Sequence, residues 1–309
     1  MEGRDKKKVL GLLGPTGVGK TGLAIELCQR LNGEVVSCDS RQIYKELDIG
    51  TAKPDEEEQR QVRHHLINIA EIGEVFSAYR YRQMALNAIE DIFERGKQPL
   101  VVGGTGLYYR ALTEGFFEVP ENDQEFRQKL EEEAEEYGNE RLWNRLNTVD
   151  PESAEKISVS DRFRIIRALE IYELSGIKKS ELSEKGEYPE SCYKFITFGL
   201  NVPRRELYER INSRVDKMLE EGWIEETERL ISASKLNSRN FQKFMGYNYL
   251  YKYVKGQIDR KEGIAKIKQA HRNYAKRQLT WFKRVSGITW ISAKDQEKAE
   301  KIVELFTKQ

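Results

Sequence analysis

The chain has 309 residues, 39% of them apolar and 33% charged, which suits a sizeable buried core under a heavily charged surface. No apolar run approaches the ~20 residues of a membrane helix, and the basic start MEGRDKKK feeds an apolar run that leads straight into a glycine loop, so this run reads as a first strand rather than a signal peptide. The net charge of +1 hides a segregation: residues 121–140 hold nine acids and two bases, whereas 239–284 hold thirteen Lys and Arg against Asp259 and Glu262.

A polyanion responds to a local basic face and not to the total, although a solvated helix surface would look the same. Cys28, Cys38 and Cys192 form no metal-like pair, so reduced thiols in a cytoplasmic protein are expected. No membrane attachment is expected, and a monomer is.

In chain order, KVLGLL at 8–13 predicts a buried strand, and KTGLAIELCQRL at 20–31 a helix with apolar positions at helical spacing. EVVSCDS predicts a second strand, and LINIA at 66–70 a further short one. SAYRYRQMALNAIEDIFERG at 77–96 predicts a helix ended by Gly96, and PLVVGG at 99–104 a third core strand. Strand, glycine loop, helix and strand open a parallel α/β sheet.

From about 119 the sequence becomes charged and helical in pattern, and YKFITFGLNV at 193–202 returns the chain to the sheet. A long helix follows Pro203, interrupted at Gly222. Helices at 247–256 and 260–285, a strand at 288–292 and a terminal helix complete the chain. The expected fold class is α/β, a P-loop NTPase-like parallel sheet flanked by helices with an inserted helical domain. The core would comprise 1–118 and 193–309, and the insertion 119–192.

Gly14-Pro15-Thr16-Gly17-Val18-Gly19-Lys20-Thr21 fits G-x-x-x-x-G-K-[ST] in full. Glycines let successive N–H groups point at phosphate oxygens, the next helix adds its positive end, Lys20 supplies charge and Thr21 a hydroxyl for Mg²⁺. The loop says that a di- or triphosphate is held, not what carries it. Asp39 ends the second strand, where parallel strands face the ligand crevice, and could hold Mg²⁺ through water, act as a base or merely cap a turn. Gly103-Gly104-Thr105-Gly106 ends the third strand, and Tyr108 and Tyr109 add rings, with helix packing the expected fate of one of them. No strand carries the four apolar residues and acid expected of a nucleotide hydrolase.

Arg162, Arg164 and Arg167 suit either a phosphate-clamping lid or an RNA backbone. In the basic helix, Ile264, Ile267, His271, Tyr274, Gln278 and Trp281 predict one packed stripe. Lys266, Lys276, Arg277, Lys283 and Arg284 lie off it, as a surface for a phosphate backbone. A lone histidine such as His271 is more often packed than catalytic, and His64-His65 lacks a third metal ligand.

In order, GPTGVGKT, SCDSRQIYKELDIGTAKP, HHLINI, VVGGTGLYY, DRFRIIRALEIYE, RINSRVDKMLEEG and AKRQLTWFKR resemble the tRNA dimethylallyltransferases, over about residues 9–284. Cys38 stands where a small residue such as Ala is expected. The resemblance implies transfer of a dimethylallyl group from dimethylallyl diphosphate to the exocyclic amine of the adenine 3′ to the anticodon of tRNA. The loop residues Gly14, Thr16, Gly17, Val18, Gly19, Lys20 and Thr21 would hold the donor's diphosphate with Mg²⁺. Asp39 would take the amine's proton, and Arg214, then Arg210, would meet the leaving group. Thr105 would bond to the adenine or share its proton network, and Ser40 and Gln42 would read the base beside Arg41.

The anticodon stem-loop would be held by Phe163, Arg164 and Arg167, more weakly by Arg127, and by Lys243, Gly246, Tyr247, Lys276, Arg277, Gln278 and Trp281. The other readings are a transferase acting on free AMP, ADP or ATP, a P-loop kinase of a small metabolite, and a non-catalytic tRNA-binding module. The first of these shares the loop and the base but would not need the basic 239–284 surface, and the presence of Lys20, Thr21 and Asp39 together argues against the last.

Overall fold

The computed structural model describes residues 6–115, 123–184, 191–237 and 240–309, so the expected start of the insertion at 119 lies outside them. The chain divides into two compact units, Met1–Glu114 with Ser191–Gln309, and Gly115–Glu190. The larger unit opens with β1 (Lys8–Leu13), α1 (Lys20–Leu31), β2 (Gly33–Cys38), α2 (Glu56–Gln61), β3 (His64–His65), α3 (Ala78–Glu94), β4 (Gln98–Gly103) and α4 (Gly106–Glu114). The smaller contains α5 (Gln124–Tyr137), α6 (Asn139–Val149), α7 (Pro151–Lys156), α8 (Arg162–Ser175) and α9 (Lys179–Glu184). The larger then resumes with β5 (Lys194–Asn201), α10 (Arg204–Glu220), α11 (Trp223–Ser232), α12 (Tyr247–Val254), α13 (Arg260–Phe282), β6 (Ile288–Ser292) and α14 (Lys298–Lys308).

β1, β2 and β4 are buried beyond their first residue, as strands covered by helices on two sides must be, and β2 buries Glu34 only with Arg95, Lys97 and His65 paired to it. Among the described residues the strands form one sheet in the order β3-β2-β4-β1-β5-β6, every pairing parallel. β4 lies between β1 and β2, so the chain reverses its direction of travel across the sheet beside β1, where ligands of such sheets bind at the strand C-termini. The core between sheet and helices gathers Leu10, Leu12, Leu27, Leu100, Phe198, Leu207, Ala275 and Ile302. A second core around Trp223, Phe244, Tyr247 and Ile267 joins α10 to α13 with the segment after β2. The smaller unit has its own core around Leu142, Leu146 and Ile165.

Three expectations shift. The strand expected at 66–70 is His64–His65 instead: Leu66 and Asn68 have φ of 62° and 56°, which ends extended pairing, and Ala70 keeps only a single bridge to Tyr44. Tyr108 and Tyr109 are both packing residues. Tyr108 stacks on Tyr81 at 4.3 Å, and the Tyr109 hydroxyl bonds to Thr197 over Gly11. The buried stripe of α13 is Gly263, Ile267, His271, Ala275, Gln278 and Phe282, which leaves Ile264, Tyr274 and Trp281 at its edge. Among the described residues, no helix is long and apolar enough to cross a membrane.

Candidate active site

Three strand ends build the site. After β1, Gly17 and Gly19 take φ of 79° and 99°, a left-handed backbone that only glycine adopts without strain and that curls the loop ahead of α1. No side chain caps α1, so its first N–H groups are those an anion would meet. Lys20 bends back to donate to the carbonyls of Gly14 and Pro15, both at 2.9 Å. Burial, helped by the nearby Arg214 cation, lowers its pKa from 10.5 to about 8.

Arg214 and Arg210 lie one turn apart on α10. Arg214 donates to Thr16 Oγ1 at 2.8 Å, and burial lowers its pKa while the Asp39 charge works the other way. Arg210 is tied to Glu206 at 2.7 Å and reaches the Val18 carbonyl at 3.4 Å. Lys294 holds the other Glu206 oxygen at 2.5 Å.

After β2, Asp39 Oδ1 accepts the N–H groups of Arg41 at 2.8 Å and Gln42 at 3.4 Å. After β4, Thr105 Oγ1 accepts the Ser40 N–H at 2.9 Å and lies 3.3 Å from Ser40 Oγ. The Thr105 N–H donates to the Cys38 carbonyl at 3.1 Å. Cys38 is buried against this seam, and burial pushes its thiol up to about 12, so it fills space and stays protonated.

Two cavities flank these residues. One, of about 1340 Å³, is lined by Gly17, Gly19, Lys20, Thr21, Arg210 and the turn 48–56. The other, of about 480 Å³, is lined by Ser40, Arg41, Lys243, Phe244, Tyr274 and Arg277. Thr16, Asp39, Thr51, Arg214 and Met218 line both. The glycine loop with Lys20, Thr21 and Arg210 therefore stands on one side of Asp39, and a basic, aromatic wall on the other. The turn that carries Thr51 is fixed from behind. Glu226 is buried and accepts the N–H groups of Asp48 at 3.2 Å and Ile49 at 3.0 Å, while Lys53 donates to the Tyr44 carbonyl at 2.8 Å. Thr51, Met218 and Phe244 join the cavity walls with no signal in the sequence. TAKP was a recognisable string, but nothing in it marked a cavity wall.

Several residues expected to meet RNA have other tasks here. Gln278 is buried; its Oε1 accepts the Thr16 N–H at 2.9 Å and its Nε2 donates to the Gly104 carbonyl at 2.9 Å, so it clamps the phosphate loop to the end of β4. Gln278→Ala leaves both groups unpartnered. The expected loss is about 1–3 kcal/mol of unfolding free energy, with weaker donor binding. Urea denaturation unchanged from wild type would remove the clamp.

Gln42 spends its amide on the Ala52 carbonyl at 3.0 Å, with Ser37 Oγ 3.4 Å from its Oε1, and lines only the larger cavity. Tyr247 is buried with its hydroxyl on Glu226 and on the Gly50 N–H at 3.1 Å. Gly246 is required for packing: a Cβ there would lie 2.2 Å from the Trp223 ring. His271 is buried beside Trp223, and burial lowers its pKa to about 4, so it is a neutral wall residue.

In the smaller unit, Arg127 and Arg167 both donate to the buried Glu170, at 2.7 Å and 2.5 Å, so their guanidinium groups hold that unit together. Phe163 is 72% exposed with Arg127 5.9 Å behind its ring, and Arg164 is exposed beside Asp161. The basic run of α13 divides likewise. Lys266 and Lys268 pair with Glu262 and Asp216 at 2.6 Å, whereas among the described residues no ion pair engages Lys276, Lys283 or Arg284. Arg277 lies 5.7 Å from the Tyr274 ring centroid, Lys243 is exposed, and Trp281 lies half-buried over Gly106.

Comparison with known proteins agrees with this geometry. The model of the IPP transferase family matches residues 42–285. The tRNA dimethylallyltransferase of Acetivibrio thermocellus is 43% identical over 296 residues, 96% of this chain and 95% of the relative. That of Finegoldia magna is 41% identical over 304 residues, 98% of this chain and 96% of the relative. Among solved structures, the full-length tRNA isopentenylpyrophosphate transferase of Bacillus halodurans superposes with a TM-score of 0.70 at 39% identity, covering 98% of this chain and 95% of that one. A eukaryotic dimethylallyltransferase described as acting on tRNA gives a TM-score of 0.80 at 31% identity, covering 97% and 77%. With its phosphate loop, its Asp39 between two cavities and this likeness along nearly its whole length, the chain belongs to the IPP transferase family.

Proposed function

We propose that the protein transfers the dimethylallyl group of dimethylallyl diphosphate to the exocyclic amine of the adenine 3′ to the anticodon of tRNA, releasing diphosphate. The observation that carries this reading is the shared wall. Asp39 lines both the cavity of the phosphate loop and the cavity with Arg41, Lys243 and Arg277 on its sides. The donor occupies the first with its diphosphate on the loop N–H groups, Lys20 and Arg214. The acceptor base, unstacked from its loop, enters the second. Its amine is a weak nucleophile because the lone pair is delocalised into the ring. As nitrogen bonds to the allylic carbon, the carbon–oxygen bond breaks, the electron pair leaves with diphosphate, and the amine proton passes to the Asp39 carboxylate.

Thr21 lines the donor cavity, and its hydroxyl suits Mg²⁺, which takes few protein groups and completes its shell with phosphate oxygens and water. Bound there, the ion would neutralise charge on the leaving group. Phe163 and Arg164, with Lys243, Lys276, Arg277 and Trp281, are the groups proposed to meet the anticodon arm, by stacking and by phosphate contact.

The test is labelled dimethylallyl diphosphate with Mg²⁺ and three acceptors: a tRNA with adenine 3′ to the anticodon, the same tRNA with guanine there, and AMP. Label in the first alone, found in the modified adenosine by mass spectrometry, is expected. Equal labelling of AMP would favour the free-nucleotide transferase, and no label with folded protein would remove the reading.

A further inference from the structure

Tyr274 looks like core in the sequence, one turn before Gln278 in an apolar stripe. In the structure it is half-buried and lines the smaller cavity together with Asp39, Ser40 and Arg277. The Arg277 guanidinium lies over its ring, 5.7 Å from the centroid. Its hydroxyl lies close to the Thr105 hydroxyl, with Asp39 the acid nearby. Burial first, and the Asp39 charge second, push the phenol up to about 12, so it remains a neutral donor at any working pH. Thr105 Oγ1 accepts the Ser40 N–H at 2.9 Å, and Asp39 accepts the next two N–H groups along. A row of neighbouring groups therefore runs from Tyr274 past Thr105 and Ser40 to the turn that carries Asp39.

We infer that Tyr274 is a positioning residue of the acceptor site: its hydroxyl braces Thr105 and with it the Asp39 turn, and its ring, held by Arg277, is the wall against which the acceptor base packs. The inference rests on the acceptor site proposed above. It assigns two separable tasks to one side chain. The hydroxyl governs the chemical step through Asp39. The ring governs binding of the base, because an aromatic face stacks on any nucleobase.

Two variants separate the tasks. Tyr274→Phe keeps the ring, and its kcat for tRNA is expected to fall about tenfold with KM for tRNA within about twofold. Tyr274→Leu also loses the ring, and its KM for tRNA is expected to rise about tenfold or more. In Tyr274→Phe, affinity for inorganic pyrophosphate by calorimetry and the melting temperature stay at wild-type values, a split that a merely structural role would not produce.

Wild-type kcat in Tyr274→Phe would overturn the inference. So would a fall in kcat accompanied by equal losses of pyrophosphate affinity and melting temperature. Failure of the functional reading is seen separately, as absence of transfer by the wild-type protein that still binds pyrophosphate.

Discussion

Asp39→Asn lowers kcat for transfer to tRNA by about 10²–10⁴-fold, the range for removing a positioned general base, while tRNA affinity changes less than about threefold. Asparagine is the informative replacement because Asp39 Oδ1 accepts the Arg41 and Gln42 N–H groups, and an amide oxygen can keep both. The turn and its Ser40 contact to Thr105 therefore survive, and only the charge and basicity are lost. Asp39→Ala removes the turn bonds as well and is expected to lose the same activity with lower stability. Single-turnover transfer with donor and tRNA both saturating isolates the step. An Asp39→Asn variant with more than a tenth of wild-type turnover would show that the amine proton leaves by another route.

Lys20→Met is the second large effect, with donor affinity and kcat both reduced and kcat down about 10²–10³-fold, as for loss of one group stabilising a developing anion. The pH dependence is the sharper consequence. In the free protein, burial and Arg214 set the Lys20 pKa at about 8, below its ordinary 10.5. A bound diphosphate favours the ammonium and raises that pKa, so above about pH 8 binding must take up a proton. By linkage, the dissociation constant of the donor or of pyrophosphate rises with pH from about 8, with a slope approaching tenfold per unit, and is nearly flat below. Calorimetry in buffers of different ionisation enthalpy would show the proton uptake directly. In Lys20→Met that rise disappears while the weaker binding remains. A wild-type constant flat from pH 7 to 9.5 would mean that Lys20 takes up no proton on binding, its charge being the same in the free and bound protein across that range.

The sequence alone determined the local pieces. The apolar runs at 8–13 and 99–104, the glycine loop between strand and helix, and the period of 20–31 each fix their own element, because strand burial, left-handed glycines and helical spacing are short-range properties. Ordered motifs carried the family, since GPTGVGKT through TAKP places loop, acid and turn in a fixed succession.

What residues touch across the sheet order could not be read, because it depends on β4 inserting between β1 and β2 and on α13 returning from the far end of the chain. In a string of letters Gln42 looks like a base reader and Gln278 like a tRNA contact, yet one holds the Ala52 carbonyl and the other joins Thr16 to Gly104. Arg127 and Arg167 look like phosphate contacts until the buried Glu170 is seen between them. Tyr274 shows the reverse, a core-like position turned to the cavity beside Asp39. Periodicity gives the face of a helix to within about one side chain, but hydrogen-bond partners and cavity walls are properties of packed surfaces. Only the tertiary structure could decide which polar groups were already satisfied and which remained for a ligand.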